Sequence, residues 1–237
     1  MNVSDAISRR TSVRAFLPAA VSDAVMRHLL QKAARAPSGG NLQPWCIHAL
    51  AGEPLRELLD LVKSRGPDPS PGYAVYPPDL WEPYRSRRFQ NGEQLYASIG
   101  IGRDNKAGRL SQLAENAEFF GAPAGVFMFI DRGMGPPQWA DLGMYLQNLM
   151  LLAVERGLST CPQEYWALYA NTVSEFLNVP VSRMLFCGVA VGYADASNPI
   201  NSFKTDRAPP EEWMSVRGFE SACVSDESNL AVPGATS

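Results

Sequence analysis

The stretch from Pro137 to Leu158, PQWADLGMYLQNLMLLAVERGL, limits what this chain can fold into more than any other. It begins with a proline, which the first turn of a helix tolerates, and its middle is apolar at nearly every helical position. Such a helix has to be covered on all sides, because apolar surface left in water costs free energy. We therefore expect a central helix, with part of its cover supplied by a second subunit.

The remaining hydrophobic patterns predict a chain of class α+β. Helices are expected over 22–36, 54–65, 92–101 and 105–120, and buried strands over 46–50, 124–131 and 184–193. Thr172 and Glu175 have the spacing of a capping box at the start of a further short helix. Long helices separated by only three or four strands are typical of α+β proteins rather than of a regular βαβ alternation.

Composition excludes several classes of function. The chain has 237 residues, of which 46% are hydrophobic, and a net charge of -3 at pH 7. That charge argues against a nucleic-acid partner. No apolar run reaches about 18 residues and the N-terminus lacks the apolar core of a signal peptide, so we expect no membrane association and a cytoplasmic location.

The residues that usually bind metals or act as nucleophiles are few and scattered. The four cysteines, at positions 46, 161, 187 and 223, form no CxxC pair, which argues against a zinc, iron–sulfur or disulfide framework. His28 and His48 both lie in apolar patterns that suit structural roles. We expect no metal site, so if the protein is an enzyme, a bound organic cofactor is the natural source of its reactivity.

The segment RRTSVRAF, residues 9–16, places three arginines close together in a chain of negative net charge. In an extended segment alternate side chains share a face, so Arg10, Ser12 and Arg14 would point the same way. Two guanidinium groups with a hydroxyl between them suit a phosphate, because arginine stays charged and donates in a fixed planar geometry. A solvated basic face on a short N-terminal helix is the alternative interpretation.

Two further stretches offer ligand-binding groups. In PSGGNLQPW, residues 37–45, the two glycines permit positive φ, while Asn41 and Gln43 each present a donor and an acceptor. This mixture suits the pyrimidine edge of a flavin, although an ordinary loop of turn residues is equally consistent with it. The stretch NPINSFKTDRAPPEEW, from Asn198, brings Lys204 and Arg207, and Arg207 would join the phosphate cluster if this end folds against the first segment.

Together these stretches resemble the nitroreductase family of flavoproteins, which bind FMN. The resemblance extends from SRRTSVRAF through APSGGNLQPW, FFGAP, the W-A-D-L-G helix, GLSTCPQ and GYAD to NSFKTDRAPPEEW. It implies a mixed sheet surrounded by helices, in an intertwined homodimer with FMN at the subunit interface. It also implies one FMN-binding domain over residues 1–217. Residues 218–237 are small and polar with no packing pattern, so we expect a tail that is mobile or packed on the partner subunit.

The resemblance assigns the cofactor site residue by residue. On the phosphate and ribityl side it implies Arg10, Ser12, Arg14 and Arg207, with Lys204 as a further candidate that falls one place from the basic residue of some members. Around the flavin ring it implies Pro37, Ser38, Gly39, Asn41, Gln43, Pro162, Gln163 and Glu164.

The implied activity is hydride transfer from NADH or NADPH to N5 of the flavin, followed by reduction of a nitroaromatic or quinone. No side chain needs to be catalytic, because the flavin carries the chemistry. The small aromatic acceptor would stack between aromatic walls. The candidates are Tyr73, Tyr76, Trp81, Tyr165 and Trp166, although core packing is the more usual role of an aromatic residue at each of these positions. Alternative functions are a reductive dehalogenase, an enzyme that fragments the flavin, or a flavin-binding protein without turnover.

Overall fold

The computed structural model describes Met1 to Phe219. Residues 220–237, which include Cys223 and nearly all of the predicted polar tail, lie outside the described residues. The chain separates into two compact units, one from Met1 to Lys204 and a second that begins at Thr205. A single domain that ends at residue 217 stays a prediction.

The first unit contains the helices and strands that position the site. The helices are α1 Val3–Arg9, α2 Asp23–Ala33, α3 Gly52–Arg65, α4 Tyr84–Ser98, α5 Lys106–Ala114, α6 Pro136–Glu155 and α7 Ala170–Phe176. The strands are β1 Cys46–Ala51, β2 Ala124–Asp131, β3 Ser159–Gln163 and β4 Arg183–Gly192. Short 3-10 turns lie at Gly39–Asn41, Glu115–Gly121, Glu164–Tyr169, Pro199–Ser202 and Pro210–Glu212.

The four strands form one sheet in the order β1-β2-β4-β3, and each neighbouring pair is antiparallel. The single parallel pairing that the described residues contain is an isolated bridge between Ser12 and Thr160 at the β3 edge. The first seven residues of β2 are buried, because helices cover both faces of the sheet. This explains the continuous apolar run of β2 and confirms the α+β class.

Each face of the sheet carries a hydrophobic core. On one face α2 and α6 pack against β2 and β4, and on the other α3 and α7 pack with the turns Glu115–Gly121 and Glu164–Tyr169. Trp166 lies at the centre of the second core, where its ring packs against Phe119 and Phe127. A Cβ on Gly188 would lie 2.6 Å from the Trp166 indole nitrogen, so only glycine lets β4 pass this ring.

The central helix α6 is covered on most of its surface but not on all of it. Its buried residues are Asp141, Leu142, Tyr145, Leu146, Leu149, Met150 and Ala153. Ala140 and Met144 are exposed, Gln147 and Leu151 are half-buried, and this helical spacing puts all four on one stripe. The expectation of cover on all sides is therefore met only in part within one chain.

Three sequence predictions differ from the structure. The capping box at Thr172 was wrong: Thr172 lies inside α7, and its N–H and hydroxyl, with the Asn171 N–H, donate to the Asp68 carboxylate. The helix predicted from 92 begins at Tyr84, and the helix predicted over 105–120 ends at Ala114. Strand β3 was not predicted, and no helix in residues 1–219 is long and apolar enough to cross a membrane.

Candidate functional site

The arginine segment begins where α1 ends. Arg9 is the last residue of α1 and is exposed, whereas Arg10 is the C-cap and has an extended backbone. The chain then runs beside β3, where the Val13 N–H donates to the Thr160 carbonyl at 3.0 Å. Val13 is 4% exposed, while Arg10, Ser12 and Arg14 are half-buried. The extended segment therefore gives Arg10 and Arg14 a setting different from that of Arg9.

Asn201 fixes the position of this segment. Its side-chain oxygen accepts from the Arg14 N–H at 2.8 Å, and its amide nitrogen donates to the Ala15 carbonyl at 2.8 Å. The third stretch that the sequence singled out thus contacts the first. Lys204 is exposed at the end of the first unit, and Arg207 belongs to the second unit, where its guanidinium donates to Thr205 and to the Asp206 carbonyl.

Positive charge accumulates at this edge of β3. Within residues 1–219, neither Arg10 nor Arg14 forms an ion pair; Arg14 donates only to the Ser12 carbonyl, at 3.2 Å. Burial, together with the negative charge of Glu164, raises the pKa of Cys161 to about 11. Arg14 and Arg10 both lower this pKa, so their positive charges lie near the Cys161 thiol. Half-buried guanidinium groups without a carboxylate are suited to an anionic ligand.

The chain turns at the end of β3, where the sequence placed Pro162, Gln163 and Glu164. Gln163 is 2% exposed, and its side-chain amide donates to the backbone carbonyl of Asn116 at 2.9 Å. Its Oε1 is buried and has no hydrogen-bond partner among the described residues, and the same is true of the Thr160 hydroxyl. Pro162 is half-buried and Glu164 is exposed. The Gln163 side chain thus ties β3 to the Glu115–Gly121 turn.

The glycine-rich loop presents its polar groups outward. Gly40, Asn41 and Gln43 have positive φ angles of 57°, 56° and 50°. The Ser38 hydroxyl accepts from the Gln43 N–H at 3.0 Å, and the Asp141 carboxylate of α6 accepts from the Gly39 N–H at 3.2 Å. These bonds hold a strained loop, in which Pro37, Gly39, Asn41 and Gln43 are exposed.

Within one chain, this loop and the arginine segment are anchored near opposite ends of α6. The loop is bonded to Asp141, whereas Val13 is bonded to Thr160, five residues beyond the end of α6 at Glu155. Glu155 lies 14 positions after Asp141, which corresponds to about 20 Å along the helix. A ligand bound to both ends of one chain would therefore have to extend along most of α6.

The aromatic residues predicted for the acceptor pocket divide into two groups. Tyr73 donates its hydroxyl to the Phe186 carbonyl, Tyr165 is half-buried against Tyr169, and Tyr76 and Trp81 are 50% and 59% exposed. Glu164 lies close enough to Tyr73 to raise its pKa, although burial is the larger cause. Trp166 is different: it is 0% exposed, so the structure places it in the core and not on a pocket wall.

Sequence reasoning missed the residues that hold these segments in place. They are Asp68, Asn116, Asp141 and Asn201, each of which bonds the backbone or side chain of a distant segment. Asp141 carried a signal, because it is an acid within the largely apolar first part of α6. Within residues 1–219, no cluster of three or more His, Cys, Asp or Glu side chains could hold a metal ion.

The chain matches one protein family over most of its length. The family model of the nitroreductase family matches residues 7–193. The chain is 38% identical over 215 residues to a 4-nitrobenzoate reductase of Pseudomonas putida, a match that covers 90% of this chain and 95% of the relative. It is 32% identical over 218 residues to a nitrobenzene nitroreductase of Ectopseudomonas oleovorans, covering 89% and 95%.

A solved structure agrees with these matches. The crystal structure of an FMN- and NADPH-dependent nitroreductase, NfnB from Sphigopyxis sp. strain HMH, superposes with a TM-score of 0.89 at 46% identity. The superposition covers 92% of this chain and all of the other. The chain belongs to the nitroreductase family, which confirms the resemblance and the fold that the sequence predicted.

The Asp141 anchor can be tested on the free protein. Replacing Asp141 with Ala removes the acceptor of the Gly39 N–H, and hydrogen bonds to charged groups contribute about 1.5–3 kcal/mol. We expect amide hydrogen exchange in the Ser38–Gln43 loop to accelerate about ten- to a hundredfold. The matched control is Asp131→Ala, which removes an exposed acceptor of the Gly133 N–H and should leave the loop unchanged. Unchanged exchange in Asp141→Ala would contradict the anchor.

Proposed function

We propose that this chain is an FMN-dependent oxidoreductase that uses NADPH to reduce a small nitroaromatic compound, with quinones as a second acceptor class. The observation that carries the proposal is the pair of half-buried guanidinium groups, Arg10 and Arg14, that have no acid partner among residues 1–219 in a member of this family. NADPH is the proposed donor because the relative from Sphigopyxis is described as NADPH-dependent at 46% identity.

The groups that the chain presents fit FMN. Arg10 and Arg14 supply charge for a phosphate, and the Ser12 hydroxyl lies between them in the same extended segment. The Thr160 hydroxyl, which is buried and has no hydrogen-bond partner among residues 1–219, lies beside Ser12. Asn41 and Gln43 present exposed amides, which can complement a ring edge that carries both carbonyl oxygens and an N–H. Arg207 and Lys204 remain proposed further phosphate ligands.

FMN, when bound, would accept a hydride from the reduced nicotinamide and deliver electrons to the acceptor. The side chains then have three tasks. Arg10 and Arg14 would bind the phosphate, and the Asp141-anchored loop would orient the ring. Pro162 and Glu164 would border the ring, with Gln163 holding that turn from beneath. Tyr73, held by the Phe186 carbonyl, would limit water at the acceptor side.

The other functions that the sequence left open are less well supported. The relatives that the chain matches at 32–46% identity over about nine tenths of its length are named as reductases of nitroaromatic compounds. A dehalogenase, a flavin-fragmenting enzyme or a flavin-binding protein without turnover is favoured by none of these relatives. We also propose a cytoplasmic location, consistent with free thiols at Cys46, Cys161 and Cys187.

We propose that the working unit is a homodimer. The α6 stripe at Ala140, Met144, Gln147 and Leu151 is apolar at three of its four positions and incompletely covered. An apolar groove of about 360 Å³ continues from this stripe, between Val3 and Ala6 of α1 and the end of α6. A second copy placed here would cover both, and its glycine-rich loop could complete a site whose two halves lie at opposite ends of α6 in one chain.

The cofactor and activity can be tested together. We expect the purified protein to be yellow and to release FMN on denaturation. With oxygen excluded, it should oxidise NADPH catalytically only when a nitroarene or quinone is present. Arg10→Ala and Arg14→Ala should weaken FMN binding about ten- to a hundredfold, since each removes a charge-assisted partner of the phosphate. Arg9→Ala is the control, because Arg9 is exposed on α1 and should matter little.

Titration of apoprotein with riboflavin, which lacks the phosphate, shows whether these arginines act on the phosphate. Arg10→Ala and Arg14→Ala should leave riboflavin affinity nearly unchanged. Equal losses for FMN and riboflavin would mean that the arginines support the fold instead. A protein that binds FAD, or that cannot bind FMN at all, would contradict the proposed function.

Dimerisation can be tested at the α6 stripe. Met144 is 37% exposed at the centre of the stripe, so Met144→Glu would bury a charge in the interface and should give monomers in light scattering. Val181→Glu is the control, because Val181 is 91% exposed in the turn before β4 and should leave the dimer intact. A wild-type protein that is monomeric and still holds FMN would refute the dimer.

A further inference from the structure

The proposed function, on which this inference rests, does not say whether the enzyme prefers charged or neutral nitroaromatic acceptors. One relative is named for 4-nitrobenzoate, which carries a carboxylate, and another for nitrobenzene, which carries no charge. An enzyme that prefers the anion needs a positive group near the acceptor, placed away from the cofactor phosphate. Candidates are the arginines of α4 and its flanking segments, where Arg85, Arg87, Arg88 and Arg103 lie.

Arg88 is exposed, and it differs from Arg85 in having no carboxylate partner among the described residues. Arg85 is paired with Glu82 at 2.8 Å, and Arg103 lies close enough to Glu93 to help Arg109 lower the pKa of that carboxyl. Arg88 forms no ion pair with any residue in the described part of the chain. Its guanidinium carbon instead lies 4.3 Å from the centre of the Tyr76 ring.

Stacking on Tyr76 orients Arg88 without neutralising it. A cation–π contact uses the flat face of the guanidinium group and leaves its N–H edge available. That edge matches the two oxygens of a carboxylate, which it can bind with two parallel hydrogen bonds. Because the ring already restricts the side chain, less conformational entropy is lost when a ligand binds.

The proline-rich loop places this pair near the proposed acceptor site. The loop is anchored at Asp68, which accepts from the first turn of α7, and at Gly72, whose N–H donates to the Ala167 carbonyl at 2.8 Å. Tyr73 follows at once, bonded to Phe186 and close to Glu164. Tyr76 is three residues further along the chain, so its Cα lies within about 11 Å of that of Tyr73.

We propose that Arg88, held on the ring of Tyr76, binds the carboxylate of an anionic nitroaromatic acceptor and so makes the enzyme selective for nitrobenzoates over neutral nitroarenes. Arg88 touches the substrate but not its reacting nitro group. Its contribution is therefore to affinity for the acceptor, which appears in KM more than in kcat.

Steady-state kinetics of the FMN-loaded enzyme with 4-nitrobenzoate and with nitrobenzene, at saturating NADPH, test this role. Arg88→Gln should lower kcat/KM for 4-nitrobenzoate about tenfold, mainly through KM, and change the value for nitrobenzene less than twofold. Arg88→Lys should recover part of the loss, because it restores the charge but not the planar edge. Tyr76→Ala should reproduce part of the loss by releasing Arg88.

The matched control is Arg85→Gln, which removes an arginine of the same helix that is already paired with Glu82. It should leave the preference for 4-nitrobenzoate unchanged. Equal losses on both acceptors in Arg88→Gln would overturn the proposal, since they indicate a structural role. A raised KM for NADPH with unchanged use of 4-nitrobenzoate would also overturn it, and would assign Arg88 to the 2′-phosphate of the nicotinamide cofactor.

A binding measurement separates this proposal from the proposed function. Benzoate, which cannot be reduced, is titrated into oxidised holoenzyme and followed by the change in flavin absorbance. Arg88→Gln should weaken benzoate binding about tenfold, and equal affinities in wild type and variant would overturn the carboxylate site. If wild type reduces neither nitroarene, the proposed function fails, and this titration still decides whether Arg88 binds the carboxylate.

Discussion

Burial of α6 is the constraint on which the rest of the structure depends. Its apolar surface packs against β2 and β4, and α2 packs beside it in the same core. The Asp141 carboxylate, which is buried in this helix, accepts from the Gly39 N–H and so holds the glycine-rich loop at one end. The chain that leaves the other end becomes β3, which in turn holds the arginine segment. One helix therefore sets where both parts of the proposed cofactor site lie.

Some arginines of this protein are paired with carboxylates, and others are not. Most surface arginines of the described ion pairs, such as Arg27 with Asp23 and Arg85 with Glu82, lie within one helical turn of an acid. Arg10, Arg14 and Arg88 lack such acids within residues 1–219. Arg10 and Arg14 are half-buried, and a half-buried charge without a counter-ion is costly unless a ligand completes it, whereas Arg88 is exposed and stacks on Tyr76. The first two suit a phosphate, and the third suits the carboxylate of a substrate.

The loop between α3 and α4 runs from its contacts with the segment that follows β3 to the proposed carboxylate site at Tyr76. It is long and rich in proline, yet Asp68 and Gly72 bond it to the turn and helix that follow β3. These anchors lie near the start of the loop, and further along it Tyr76 and Trp81 are exposed. A loop held in this way can present side chains to an acceptor while it remains free to differ between relatives, which suits a family whose named members reduce both charged and neutral nitroarenes.

The sequence by itself determined the fold class, the burial of most of α6, the strands at β1, β2 and β4, and membership of the family. It could do so because apolar periodicity and ordered motifs are local properties of the chain. It did not determine β3, whose short run STCPQ has no strong alternation, nor the anchors Asp68, Asn116 and Asn201. It left Trp166 between a pocket wall and the core, and the tertiary structure decides for the core by packing this ring against Phe119 and Phe127. Only the tertiary structure could decide these points, because hydrogen bonds and ring contacts between segments up to 187 residues apart leave no periodic pattern in either segment.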